Sequence, residues 1–254
     1  MRDPQASPSD SLRDVYERRA ELQYAEPVEP PDPAVDRKFE RMAEVLRKHL
    51  PCRSLLDAGC GDGRYFHVIA ADPPTERLVG CDISERILAT ARETAAQVGL
   101  SSELVRANVE ALPFEDEAFD LVLCTQVLEH LLSPADGVRE LARVLRPGGV
   151  LLLSADHARN TVTRVLFAPR LAVVGLLGLR NRHAPVLFPE HRFETEELAQ
   201  ILAEAGLAVD HLETFRFSVP PPLGRRTRRL VNRIEKALPR HRHGDIVLAF
   251  ARKP

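Results

Sequence analysis

Leu55-Leu56-Asp57-Ala58-Gly59-Cys60-Gly61-Asp62-Gly63 is the stretch that decides the fold of this 254-residue chain. Ser54-Leu55-Leu56 is a short apolar run, suited to a strand buried on both faces of a parallel sheet. Three glycines follow at alternate positions, and in the segment after them Phe66, Ile69 and Ala70 share one helical face. Strand, glycine turn and helix make a place where a ligand can lie against bare backbone at a helix N-terminus, because glycine carries no Cβ to hold it away. The glycine spacing narrows the choice of ligand. A dinucleotide fingerprint needs G-x-G-x-x-G, yet its third glycine is replaced by Arg64 when counted from Gly59 and by Phe66 when counted from Gly61. No Gly-Lys-Ser/Thr follows, so a P-loop is excluded as well.

Downstream, apolar runs alternate with amphipathic ones. Arg77 to Ser84 reads as a second buried strand ending in an acid, Asp82, which lies 23 residues after Gly59. That is about the separation at which a carboxylate at the end of a second strand reaches the two hydroxyls of a ribose. Ser84 is suited to cap the next helix, which carries Ile87, Leu88, Ala91, Ala95 and Val98 and stops at Gly99. Glu103 to Ala107 forms a third strand, Phe119 to Cys124 a fourth and Val150 to Ser154 a fifth. Ser133-Pro134-Ala135-Asp136 reads as a capping box opening a helix that runs to Arg146, with Pro147-Gly148-Gly149 ending it. Leu207 to Phe217 and Asp245 to Ala251 supply the last two strands. Upstream, Val35, Phe39, Met42, Ala43, Leu46 and Leu50 recur at helical spacing and predict a helix lying on the sheet just before the first strand.

The glycine-rich turn resembles the first motif of the class I S-adenosylmethionine-dependent methyltransferases. The segments Asn108 to Phe114, Thr125 to His130 and Leu145 to Gly149 resemble later family segments in the same order, so the likeness covers roughly residues 50 to 155. It implies an α/β Rossmann-like fold: a seven-stranded, mostly parallel sheet of order 3-2-1-4-5-7-6, its last strand antiparallel, with helices on both faces. It divides the chain into a helical leader, 1–50, with a lid role open to it, and a domain, 51–254, with insertions at about 157–193 and 218–243. The cofactor implied is S-adenosyl-L-methionine, held at the first motif by Asp57, Gly59 and Gly61. Asp82 would meet its ribose, Asn108 and Val109 its adenine and Gln126 its methionine end, with Ile83 a further cofactor contact. Where this chain has Asn108 the family usually has Asp; an amide oxygen still accepts from an exocyclic amine, though without the charge.

A methyl on a sulfonium is already electrophilic, so positioning the acceptor in line is the main task, with a general base adding to it. His130 and His191 are the candidate bases, with His157 and His183 behind them, and His191 and Arg192 stand where the family chain re-enters the acceptor pocket. The expected activity is methyl transfer to an oxygen or nitrogen of a small, hydrophobic metabolite. Composition agrees: 44% hydrophobic and 28% charged residues suit a soluble globular domain, and a net charge of −2 gives no global pull on nucleic acid or membrane. The four cysteines form no C-x-x-C pair and no zinc pattern, which points to a reducing compartment, and the charged, proline-bearing N-terminus lacks a signal peptide's apolar core. A cytoplasmic protein with no resident metal is the expectation.

Two segments keep alternatives open. The apolar run 171–179 is too short to span a bilayer, which takes ~20 residues, and suggests a lid over a hydrophobic acceptor or a shallow membrane contact. The arginine-rich run 225–242 reads as a solvated helix face or as an anion-binding surface. A nucleic-acid methyltransferase using that basic run is therefore a second reading. Against it stand the absence of an Asn-Pro-Pro-Tyr-type segment after the fourth strand and an aromatic content of only 5%. A non-catalytic S-adenosylmethionine-binding partner is a third.

Overall fold

The computed structural model describes residues 13–18, 37–70, 75–158, 191–215 and 244–254. The runs 171–179 and 225–242, together with His183, lie outside them. In chain order the elements are α1 (13–18), α2 (Arg37–Leu46), β1 (Ser54–Ala58), α3 (Phe66–Ala70), β2 (Arg77–Asp82), α4 (Glu85–Gln97), β3 (Glu103–Arg106) and β4 (Phe119–Thr125). A 3₁₀ turn (Leu128–His130), α5 (Pro134–Val144), β5 (Leu145–Asp156), α6 (Thr195–Glu204), β6 (Ala208–Phe215) and β7 (Ile246–Arg252) complete them.

All seven strands join one sheet of order β3-β2-β1-β4-β5-β7-β6, with β7 antiparallel to both neighbours, as the family resemblance implies. Side chains on a strand point alternately to opposite faces, and here both faces are apolar. Leu55, Leu121, Leu123, Leu152 and Leu248 pack with Phe39, Met42, Leu46, Phe66 and Leu88 under α2, α3 and α4. Leu56, Val122, Leu151, Leu153 and Val247 pack on the other face with Val138 and Leu141 of α5 and Leu198 and Leu202 of α6. The leader helix α2 is pinned at mid-length by a buried ion pair, Arg41 Nε donating to Glu213 Oε1 of β6 at 2.6 Å.

Three local readings change. The cap at Ser133 is not a capping box: its side chain makes no cap bond, and its backbone N–H donates instead to Glu110 Oε1. The following helix stops at Val144 and β5 begins at once, because Pro147 drives the residue before it out of helical geometry; Gly148, at φ +78°, then turns the strand into register with β4. After the glycine turn, residues 61–65 form turns and α3 starts only at Phe66, so the bare backbone is a loop and not a helix N-terminus.

α4 is capped as its sequence predicts, with Ser84 Oγ accepting from Ile87 N at 3.2 Å. A second cap comes from outside the helix. Glu17 of α1 accepts from Ser84 Oγ at 2.9 Å and from Glu85 N at 2.7 Å, placing a carboxylate at the positive end of the helix dipole. Ser84→Ala removes both functions of one hydroxyl and is expected to cost about 1–2 kcal/mol, read as a lowered thermal-unfolding midpoint.

β1 lies between β2 and β4, so the connections leave it in opposite directions. In such sheets a crevice opens beyond the carboxyl ends of the strands at that reversal, and ligands bind there.

Candidate active site

The crevice is real: a cleft of about 440 Å³ lies at the carboxyl ends of β1, β2 and β4. Its floor is the turn after β1. Gly59 N and Cys60 N both donate to Cys81 O of β2, at 2.7 and 2.9 Å, which folds the turn back across the strand ends. Gly59 must be glycine twice over, since its φ is +75° and a Cβ would fall 2.3 Å from Val127 Cγ2. Gly61, at φ +57°, has open space where a Cβ would project, so bare backbone faces the cleft.

Asp82 closes one side. Its Oδ2 accepts from Gly61 N at 3.1 Å and its Oδ1 from Ser84 N at 3.0 Å, so one carboxylate ties the glycine turn to the start of α4. Burial raises its pKa; the backbone N–H donors of Ser84, Gly61 and Ile83 oppose that, and the nearby Glu17 carboxylate adds to it. Each carboxylate oxygen keeps a lone pair for a further donor.

Of the residues named from sequence, Gly59, Gly61, Asp82, Ile83, Asn108, Val109, Gln126 and His130 line this one cleft. Four others do not. Asp57 lies beneath the floor, 1% exposed, with neither oxygen hydrogen-bonded among the described residues. Its pKa is pushed up to about 8, by burial first and then by the charges of Asp82 and Asp62. His191 is a strut outside the wall: its N–H donates to Glu129 O at 2.9 Å and its ring stacks near Phe193. His157 is 3% exposed, with Nδ1 bonded to Gly244 O at 2.8 Å, so it anchors the start of β7 and does not reach the cleft. Arg192 is exposed.

The structure adds residues that no local pattern marked. Tyr16 of α1 meets the His130 ring edge-on, with centroids 5.8 Å apart, and Lys38 Nζ of α2 donates to Gln126 Oε1 at 3.0 Å. Both line the cleft, as do Asp62, Arg64, Glu129 and Asp156. Gln126 sits at φ +56°, an uncommon conformation for a side-chain-bearing residue, and is held there by its N–H on Ser154 O at 2.8 Å. Strain of this kind gathers at functional sites.

Comparison with known proteins agrees with this geometry. A family model described as "Methyltransferase domain" matches residues 56–153. A "Probable S-adenosylmethionine-dependent methyltransferase" of Mycolicibacterium smegmatis is 34% identical over 176 residues, 68% of this chain and 59% of the relative, so the chain spans about three fifths of that relative's length. A ubiquinone biosynthesis O-methyltransferase of Thiobacillus denitrificans is 35% identical over 173 residues, 65% of this chain and 69% of the relative. Among solved structures, a "possible histamine N-methyltransferase" of Thermotoga maritima shares the fold with a TM-score of 0.59 at 19% identity, covering 96% of this chain and 100% of that one. The match at 35% identity over more than two thirds of a relative, with the family model over residues 56–153, shows that this chain belongs to the S-adenosylmethionine-dependent methyltransferases.

Proposed function

We propose that the chain transfers the methyl group of S-adenosylmethionine to an oxygen or nitrogen of a small, hydrophobic metabolite in the cytoplasm. The observation that carries this is the join between the Gly61 turn and Asp82 in the cleft, where bare backbone and an oriented carboxylate face the same space. The donor set fits the cofactor. A carboxylate held by two backbone N–H groups would accept from a ribose diol, Asn108 would accept from the adenine amine, and Ile83 and Val109 would offer apolar contact. The cofactor supplies an electrophilic methyl on a sulfonium. Beneath the floor, Asp57 would add a buried acidic group to the site.

The post-β4 turn does the remaining work. Lys38 and the Ser154 carbonyl fix Gln126 at the methionine end of the cleft. His130, which Tyr16 meets edge-on, would take the acceptor's proton. An oxygen acceptor is favoured by the relative named for O-methylation in ubiquinone biosynthesis, and an apolar one by the 171–179 run. In the described residues no helix is long and apolar enough to cross a membrane.

Incubation with S-adenosylmethionine and a panel of phenolic, quinol and amine metabolites, followed for S-adenosylhomocysteine, tests the reading; binding without product from any acceptor would favour the non-catalytic partner. On an acceptor so found, His130→Ala is expected to lower kcat by about 10²-fold and to abolish the acid limb of the pH–rate profile, with cofactor affinity unchanged. His191→Ala is expected to leave both nearly as they are, since its ring lies outside the cleft wall.

A further inference from the structure

Tyr16 and Glu17 are neighbours in sequence, yet their side chains reach opposite walls of the cleft. Glu17 stands over the start of α4, which follows β2. Its Oε1 accepts from Glu85 N at 2.7 Å, and its Oε2 accepts from Ser84 Oγ at 2.9 Å and from Arg86 N at 3.4 Å. Tyr16 meets the His130 ring in the turn after β4, with centroids 5.8 Å apart. β2 and β4 flank β1, so their ends lie two strand spacings apart, about 10 Å. Successive residues of a helix point about 100° apart, which lets one turn of α1 span that gap with two side chains. The two contacts differ in strength. Hydrogen bonds to a carboxylate at the positive end of a helix are charge-assisted, whereas an edge-on ring pair is weaker and depends on how the rings are presented.

We infer that Glu17 is a positioning residue: by clasping the N-terminus of α4 it fixes α1 across the cleft and so sets Tyr16 against the proposed base, His130. Glu17 holds the helix, and Tyr16 goes where the helix is held. The inference rests on the role proposed for His130 and names what keeps that ring in place. It also joins the two ends of the cleft. Ser84 gives its backbone N–H to Asp82 at 3.0 Å and its hydroxyl to Glu17, so the residue beside the Asp82 carboxylate anchors a brace that ends at His130.

The test reads the His130 ring directly, by carbon–proton correlation spectra of the histidine rings in the full chain. The His130 signal is the one missing from His130→Ala, and Tyr16→Leu is expected to move it by removing a neighbouring ring current. Glu17→Ala is expected to move it the same way, and Glu17→Ala with Tyr16→Leu no further than Tyr16→Leu alone. Glu17→Gln, whose amide oxygen still accepts from α4, is expected to stay near the unaltered chain. On an acceptor found by the metabolite panel, Glu17→Ala should lower kcat by about tenfold through a misplaced base. It should also keep the acid limb of the pH–rate profile, which His130→Ala loses. A Glu17 that served only as a cap for α4 would lower the melting midpoint and leave the His130 signal where it is. That result, or a Glu17→Ala shift that persists undiminished in the Tyr16→Leu background, overturns the inference while the proposed function stands. Should the unaltered chain show no acid limb, the base role falls, and the ring signal still decides whether Glu17 places His130.

Discussion

Asp82→Ala is expected to weaken S-adenosylhomocysteine binding by 10²- to 10³-fold, about 3–4 kcal/mol, which is the worth of two hydrogen bonds to a charged acceptor. The carboxylate is already aimed by Gly61 N and Ser84 N, so little ordering remains to oppose the contact when a diol arrives. Asp82→Asn keeps one acceptor oxygen and should fall between the two. Folding is expected to suffer less than binding, because burial already disfavours the charged form of Asp82. Isothermal titration alongside thermal melts separates the two effects: a lost affinity with a melting midpoint within a few degrees supports the assignment, and equal affinity in Asp82→Ala removes the ribose role.

The second large effect concerns Asp57 and pH. Its folded-state pKa is about 8, against 3.8 ordinarily, because the carboxylate is buried without a hydrogen-bond partner among the described residues and faces Asp82 and Asp62, with Arg64 offsetting part of this. Between these two values the folded chain holds a proton that the unfolded chain has released. The contribution of Asp57 to stability therefore falls as pH rises from about 4 to about 8, by up to 1.4 kcal/mol per unit, and is constant outside that window. Asp57→Asn keeps the shape and removes the titration. Melts between pH 5 and 8 should show the parent losing roughly 10 °C more than Asp57→Asn across the range, at about 2–4 °C per kcal/mol for a chain of this size. Parallel curves for the two proteins would mean that Asp57 is charged at neutral pH, with a partner supplied from elsewhere.

The sheet was legible because its inner strands are buried on both faces and so read as continuous apolar runs, as Leu55-Leu56 and Leu121-Val122-Leu123-Cys124 do. The cleft's floor and its acid were legible because the glycine spacing and the Gly59-to-Asp82 interval are set within one βαβ unit. What sequence did not show depends on contacts between distant segments. Tyr16 against His130 and Lys38 on Gln126 join the leader to the post-β4 turn across some ninety residues and more, and neither leaves a periodic trace. Asp57 looked like a ligand because it stands in the motif; in the structure, strand alternation turns it beneath the floor. His157 and His191 looked like bases because they lie near the pocket in the chain, yet one is bonded to Gly244 O and the other is packed beside Phe193. The capping box at Ser133 failed for a similar reason, since Glu110, 23 residues upstream, takes the N–H that opens the helix.

The central claim is that the turn after β1, with Asp82, forms the seat of the adenosyl cofactor. Calorimetric titration of the unaltered full chain with S-adenosylhomocysteine tests it most directly. Saturable heat with one site per chain, competed by S-adenosylmethionine and not by NAD, is the expected result; no heat up to millimolar ligand would contradict it.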